Sequence, residues 1–318
     1  MQPFLCPELT PAIAATPPQT PCDLQTMRSE GDRMLGISTE TPTGVELDVR
    51  EIPGGDGQPM ELRCFTPQTT AQPAAAEGRA GCSAILLTFH GGGYVAGRAR
   101  FDDVHNIELA EYLGAIVLSA DYRLAPEFPV DRAVADCRAA LLYALERGRE
   151  LGLEVFVFGD SAGAGLAYYS VAELIGQHDQ CPVAGMILFE PCLDPRCESD
   201  SMQTHAAGPV WTAEANREAW ALAAPNPALR AKLAKILDSP AVAGKMPRSL
   251  IVVNPIDPLR DEGLRLALRL ADCGVSVEAH MYAGTFHGSL RVPGSQTWAE
   301  LRELLGRFLG CRDSNPRD

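Results

Sequence analysis

A run of buried-strand residues that breaks into a helix through a serine restricts this chain more than any other stretch. Residues 153 to 166 read LEVFVFGDSAGAGL, and Val155, Phe156, Val157 and Phe158 form an unbroken β-branched and aromatic run. Such a run suits a parallel strand covered on both faces. Directly after it, Gly159-Asp160-Ser161-Ala162-Gly163 fits G-x-S-x-G, and Ala164, Leu166, Ala167, Tyr168, Val171, Ala172 and Leu174 follow on one side of a helix. Glycines two positions either side of Ser161 permit a sharp reversal that lifts the hydroxyl above a sheet edge. A chain of this length would show the bare motif by chance about 0.1 times, so its position between strand and helix carries the weight.

The texture around this stretch is that of an open α/β sheet. Strands are expected at 84–89, 115–120, 183–189, 249–253 and 275–282, with helices at 103–113, 130–149, 259–272 and 297–309 between them. Residues 45–52 and 60–66 alternate apolar and polar around PGGDGQP and predict an antiparallel hairpin. With the hairpin, the expected sheet has eight strands, mostly parallel and flanked by helices. Residues 1–22 are rich in Pro and Thr and predict no packed element, whereas Asp23 suits the cap of a helix running to Met34. Residues 66–81 read as an exposed connection. Residues 195–239 interrupt the alternation with a helical, Trp-containing insertion beyond a strand's carboxyl end, where open sheets bind ligands. The expected organisation is a catalytic core of 46–194 and 240–318 with a helical cap made of 1–45 and 195–239.

A serine hydroxyl needs a base, and the base needs an acid that fixes its tautomer. Of the six histidines, His105 and His178 fall in helices or at their ends, His280 in a strand and His205 in the insertion. His287 instead lies in the loop AGTFHG after the last strand, among small residues. Asp257 leaves the preceding strand, and the order Ser161, Asp257, His287 is the one expected of an α/β-hydrolase triad. Glu190 and Asp194 are the alternative acids, while Asp261 suits a first-turn dipole partner. Phe89-His90-Gly91-Gly92-Gly93-Tyr94 follows the first buried strand, and three consecutive glycines allow backbone amides to face a developing oxyanion, together with the N–H of Ala162. Neither G-x-G-x-x-G nor a Walker lysine is present, which argues against a nucleotide cradle.

The formal net charge of −14 argues against nucleic acid and disfavours a polyanionic substrate. Ten cysteines without C-x-x-C spacing, and a start without a basic and then apolar segment, predict reduced thiols and a cytoplasmic location. Cys192 and Cys197 read as separate thiols. No apolar run approaches the ~20 residues of a membrane span.

In order along the chain, HGGGY (90–94), DYRLAPEFP (121–129), GDSAG (159–163), DSP (238–240), DPLRDEG (257–263) and FHG (286–288) resemble the hormone-sensitive-lipase-like carboxylesterases, the bacterial family IV of esterases and lipases. The match runs from about residue 80 to the end. The resemblance implies an α/β-hydrolase fold with a helical cap, Gly92, Gly93 and Ala162 as oxyanion donors, His90 and Gly91 as support for their loop, and largely structural roles for Asp121, Tyr122 and Arg123. It also implies a preference for short or medium acyl chains and a tendency to homodimerise. Three departures stand out: Ala164-Gly165 in place of Gly-Asn, Asn254-Pro255 ahead of the acid, and Ser289 in place of an apolar residue.

The expected chemistry is hydrolysis of a small-molecule carboxylic ester through an acyl-enzyme, with Ser161 as nucleophile, His287 as base and Asp257 as orienting acid. It requires no metal or cofactor. Tyr94, Asp160 and Trp211 are candidate pocket residues, with Phe4 and Trp220 as further aromatic candidates, and each of the four aromatics is at least as well suited to core or cap packing. Amide, formamide, lactone or thioester hydrolysis would use the same triad. A non-catalytic small-molecule receptor is the rival reading from another class, and the presence of His287 weighs against it.

Overall fold

The β-branched and aromatic runs form strands, and the longer stretches with a one-sided apolar pattern form helices. A computed structural model describes residues 4–15, 24–34, 44–68, 84–176 and 181–311. In chain order the elements are α1 (Thr10–Ala15), α2 (Leu24–Met34), β1 (Val45–Pro53), β2 (Pro59–Pro67), β3 (Ala84–Phe89), α3 (Asp103–Leu113), β4 (Ile116–Ala120), α4 (Val130–Leu151), β5 (Glu154–Asp160), α5 (Ala162–Ile175), β6 (Gly185–Phe189), α6 (Ser201–Thr204), α7 (Ala213–Ala223), α8 (Pro227–Asp238), α9 (Pro240–Ala243), β7 (Ser249–Val253), α10 (Arg260–Asp272), β8 (Val277–Met281) and α11 (Gln296–Leu309). Asp23 and His178 lie outside the described residues, as does most of the 66–81 connection.

The eight strands lie in the order β1-β2-β4-β3-β5-β6-β7-β8. The hairpin partners β1 and β2 are antiparallel, β2 meets β4 antiparallel, and every other pairing is parallel. Side chains alternate across the central strand. Val155 and Val157 pack on one face with Leu141, Ala144, Leu166 and Val171 of α4 and α5. Phe156 and Phe158 pack on the other with Leu109 of α3 and Trp298, Leu301 and Phe308 of α11. This two-sided burial is why the strand reads as a continuous apolar run. The carboxyl ends of β3, β5 and β6 deliver His90, Ser161 and Glu190 to one edge of the sheet, and the turns beyond β7 and β8 bring Asp257 and His287 there. Ligands bind at this edge in open parallel sheets.

The leader departs from expectation. Pro7–Leu9 forms a 3₁₀ turn that runs into α1, and Leu9 is fully buried in a cluster with Ile256 and Phe286. The Cys6 N–H donates to Gly284 O at 3.0 Å. Composition predicted no packed element here because the leader's order comes from contact with distant loops. Phe4 is 67% exposed, so it serves neither pocket nor core.

In the insertion, Thr212 caps α7 by accepting the Ala215 N–H, and Asn226 caps α8 by accepting the Ala228 N–H. Seven described cysteines are free, Cys192 and Cys197 among them. Cys311 is disulfide-bonded, so the expectation of reduced thiols throughout fails there. The scattered positions of the cysteines along the sequence do not show which of them the fold brings together. Among the described residues, no helix is long and apolar enough to cross a membrane.

Candidate active site

The elbow is dictated by contacts that leave no room for side chains. A Cβ on Gly159 would lie 2.2 Å from Gly163 O, and one on Gly163 would lie 2.0 Å from Phe89 O. Between them Ser161 is held at φ 54 and ψ −116, an unfavourable conformation for a residue with a Cβ. Its N–H donates to Phe189 O at 2.9 Å, and its carbonyl accepts the Cys192 N–H at 3.0 Å. Neighbouring β6 and its following turn therefore hold the strained serine in place.

Ser161 Oγ lies 2.9 Å from His287 Nε2, and His287 Nδ1 lies 2.8 Å from Asp257 Oδ2. All three side chains are buried. With Nδ1–H donating to the carboxylate, Nε2 is left as the acceptor facing the hydroxyl, as a general base requires. The other oxygen of Asp257 accepts the Leu259 N–H at 2.8 Å. The His287 loop is closed by Ser289, whose hydroxyl accepts the Phe286 N–H at 2.9 Å and whose own N–H donates to Phe286 O at 2.9 Å. The departure from an apolar residue at 289 thus has a structural use.

The alternative acids separate. Asp194 turns away: its N–H donates to Glu262 and its carboxylate takes Arg196 Nε at 2.7 Å. Glu190 stays beside the imidazole without taking it. Its Oε1 accepts the Gly288 N–H at 2.8 Å, and its Oε2 accepts Asn254 Nδ2, which also donates to Asp257 Oδ2 at 3.2 Å. Ligand atoms of Glu190, Asp257 and His287 lie within 4.8 Å of one another. Each is already engaged in this hydrogen-bonded set, so the arrangement is one for holding protons.

Burial works to lower the basicity of His287, but Asp257, then Glu190, outweigh it and hold the imidazole well above its ordinary value. Burial raises the Glu190 carboxyl, His287 opposes this, and Asp160 and Asp257 raise it further.

The glycine turn bends back on itself, with Gly92 at φ 120 and Gly93 at φ 61. Among the described residues, no backbone carbonyl takes the N–H of Gly92, Gly93 or Ala162. His90 supports the turn: its Nδ1 bonds Gly91 O at 2.7 Å and its ring stacks on Tyr122 at 4.2 Å. The Tyr122 hydroxyl donates to His90 O at 2.7 Å. Asp121 accepts the Ala99 N–H, and Arg123 forks onto Asp136.

A cavity of about 380 Å³ opens onto Ser161 and His287 and is lined also by Gly92, Gly93, Asp160, Glu190, Trp211, Met27 and Phe101. Tyr94, a candidate for this lining, instead points into the core, where its hydroxyl donates to Cys192 O at 2.6 Å and its ring meets Trp220 at 4.6 Å. Gly165 leaves the space for it, since a Cβ there would lie 2.1 Å from the Tyr94 hydroxyl oxygen. Trp220 is likewise core. Trp211 faces His287, with ring centroids 6.0 Å apart.

Of the remaining histidines, His105 bonds Arg291 O, His205 lies against Arg260, and His280 sits on the edge strand near Glu278. Sequence reasoning missed Arg291, which is partly buried and bonds both Asp160 and Asp102. Nothing in the linear pattern marks it. Asn254 was noted only as a departure, although an amide one turn ahead of the acid is a readable signal.

The sequence profile of the alpha/beta hydrolase fold family matches residues 86–291. Esterase LipI of Mycobacterium tuberculosis is 30% identical over 265 residues, 80% of this chain and 78% of its own. Ethyl acetate hydrolase of Pseudomonas putida is 29% identical over 242 residues, 74% of this chain and 73% of its own. Among solved structures, a bacterial heroin esterase superposes with a TM-score of 0.82 at 32% identity, covering 96% of this chain and 97% of that one.

Proposed function

The chain belongs to the alpha/beta hydrolase fold family, in its hormone-sensitive-lipase-like esterase branch, and from that footing we propose that it is a serine carboxylesterase acting on esters of short acids. The observation that carries the reading is the continuous path from Ser161 through His287 to Asp257, with steps of 2.9 and 2.8 Å, at the floor of the cavity that holds the glycine turn.

In this reading His287 Nε2 takes the Ser161 proton as Oγ attacks the ester carbonyl, and Asp257 steadies the imidazolium. The N–H groups of Gly92, Gly93 and Ala162 receive the oxyanion, each worth roughly 2.7 to 4 kcal/mol of transition-state stabilisation. His287 then protonates the leaving alcohol, and a water activated by the same nitrogen releases the acid. The segments read as cap, 1–45 and 195–239, contribute Met27 and Trp211 to the cavity wall. Trp211 lies against Gly93 and faces His287, which favours short acyl chains.

The test is hydrolysis of p-nitrophenyl acetate by the wild type and by Ser161→Ala, with a matched anilide alongside. The substitution is expected to lower kcat by at least about 10³-fold with the thermal melt retained. Turnover within a few-fold of wild type would remove Ser161 from its role.

A further inference from the structure

Glu190 is the carboxylate left over once Asp257 has taken the imidazole, and the reaction as described gives it no part. It nonetheless occupies a demanding position. The residue directly follows β6 at φ 38, in the left-handed region that disfavours a side chain, and its own N–H is held by Val252 O at 2.7 Å. It is 3% exposed, and burying a carboxylate costs several kcal/mol unless partners compensate.

Its partners lie on both sides of the catalytic histidine. Oε1 holds the amide of Gly288, the residue after His287, and Oε2 holds Asn254, whose amide also reaches Asp257. Three acids face the imidazole: Asp257 from beyond β7, Asp160 from the end of β5 and Glu190 from the end of β6. Asp160 is neutralised by Arg291, and Asp257 is the direct partner. Among the described residues the hydrogen-bond partners of Glu190 are a backbone N–H and a neutral amide, and against the burial that raises its carboxyl it is His287 that favours its charged form.

Resting on the triad reading, we infer that Glu190 is a positioning residue: one carboxylate brackets the base through Gly288 and the orienting acid through Asn254, and it sets a second negative charge beside the imidazolium. Space-filling alone would need neither the charge nor the strained backbone.

The experiment measures kcat and KM for p-nitrophenyl acetate across pH in the wild type, Glu190→Gln and Glu190→Asp. Glutamine keeps the shape and an oxygen for Gly288 but removes the charge. An anion beside His287 only favours its protonated form, so Glu190→Gln is expected to move the acid limb of kcat/KM down by roughly half to one pH unit. Plateau kcat should fall about three- to tenfold, with KM within about twofold. Aspartate keeps the charge but shortens the reach, so its limb stays near that of the wild type while kcat falls. Coincident limbs for Glu190→Gln and wild type, or an unchanged plateau kcat in both variants, would overturn the inference. Should the glutamine variant fail to fold, the aspartate variant alone decides between bracket and filler through kcat at constant limb. Ser161→Ala stops turnover whatever Glu190 does, so failure of the triad is seen separately.

Discussion

Gly93 and the indole of Trp211 stand so close that a Cβ on the glycine would lie 2.7 Å from Cη2 of the ring. The indole therefore forms a wall beside the Gly93 amide, one of the proposed oxyanion donors. It is held there from behind, because Nε1–H donates to Asn216 Oδ1 at 3.2 Å and Asn216 is fully buried. The Asn216 amide also donates to Cys197 Sγ at 3.4 Å and accepts from Cys192 at 3.3 Å, which ties the insertion to the loop after β6.

Removing that wall should lengthen the accepted acyl chain. In Trp211→Ala, kcat/KM for p-nitrophenyl octanoate relative to acetate is expected to rise at least about tenfold, the scale on which apolar pockets discriminate by size. Trp211→Phe should fall between the two and guards against general loosening. Stability should drop by about 3 to 5 kcal/mol in the alanine variant, as for other buried large-to-small changes. An unchanged chain-length profile in both variants would show that another surface bounds the acyl group.

Which parts of this architecture were legible depended on whether the determinant was local. Residues 84–89 and 249–253 become strands with the expected limits, since an apolar run bounded by breakers contains its own signal. The elbow was legible because Gly159, Ser161 and Gly163 lie within five residues of one another, although Phe89 and the turn after β6, which hold it, were not part of that signal. The leader was not, because Leu9 is ordered by Ile256 and Phe286, more than two hundred positions away. For Tyr94 and Trp220 pocket and core stayed open in the sequence, because an aromatic residue carries no sign of the direction in which it points, and the fold places both in the core. Glu190 was noticed as an acid after a strand, but only coordinates reveal that it holds the loop of the base.

The electrostatics of His287 predict an acid limb at higher pH than an ordinary imidazole would give. Burial opposes protonation, yet Asp257 and then Glu190 raise the folded-state value above 6.5. The base works only when neutral, so activity is present above the raised value and is lost as pH falls through it. A kcat/KM profile for p-nitrophenyl acetate should therefore have its acid midpoint above about 6.5. Asp257→Asn removes the largest favourable contribution, so its limb should move down, while kcat falls by about 10⁴-fold because the tautomer is no longer fixed. A wild-type midpoint at or below the ordinary imidazole value would contradict this account of the site's charge.

The leader packs behind two of the three residues of the proposed triad. Leu9 is buried against Ile256 and Phe286, the residues immediately before Asp257 and His287, and these two pair as an isolated parallel bridge. The Cys6 N–H reaches Gly284 O at 3.0 Å, and a Cβ on Gly284 would lie 2.5 Å from Cys6 N, so leader and histidine loop are in close backbone contact. Leu9→Ala should open a cavity behind both loops and lower stability by about 2 to 4 kcal/mol in urea denaturation. A misplacement well under 1 Å between base and nucleophile is enough to slow the reaction, so kcat should also fall, roughly three- to tenfold, with KM little changed. Ala12, partly buried on the same cluster, provides the comparison: Ala12→Gly should cost about 1 kcal/mol of helix stability and leave kcat near wild type. Equal proportional losses of kcat in both variants would mean that the leader supports the fold in general and not the setting of Asp257 and His287.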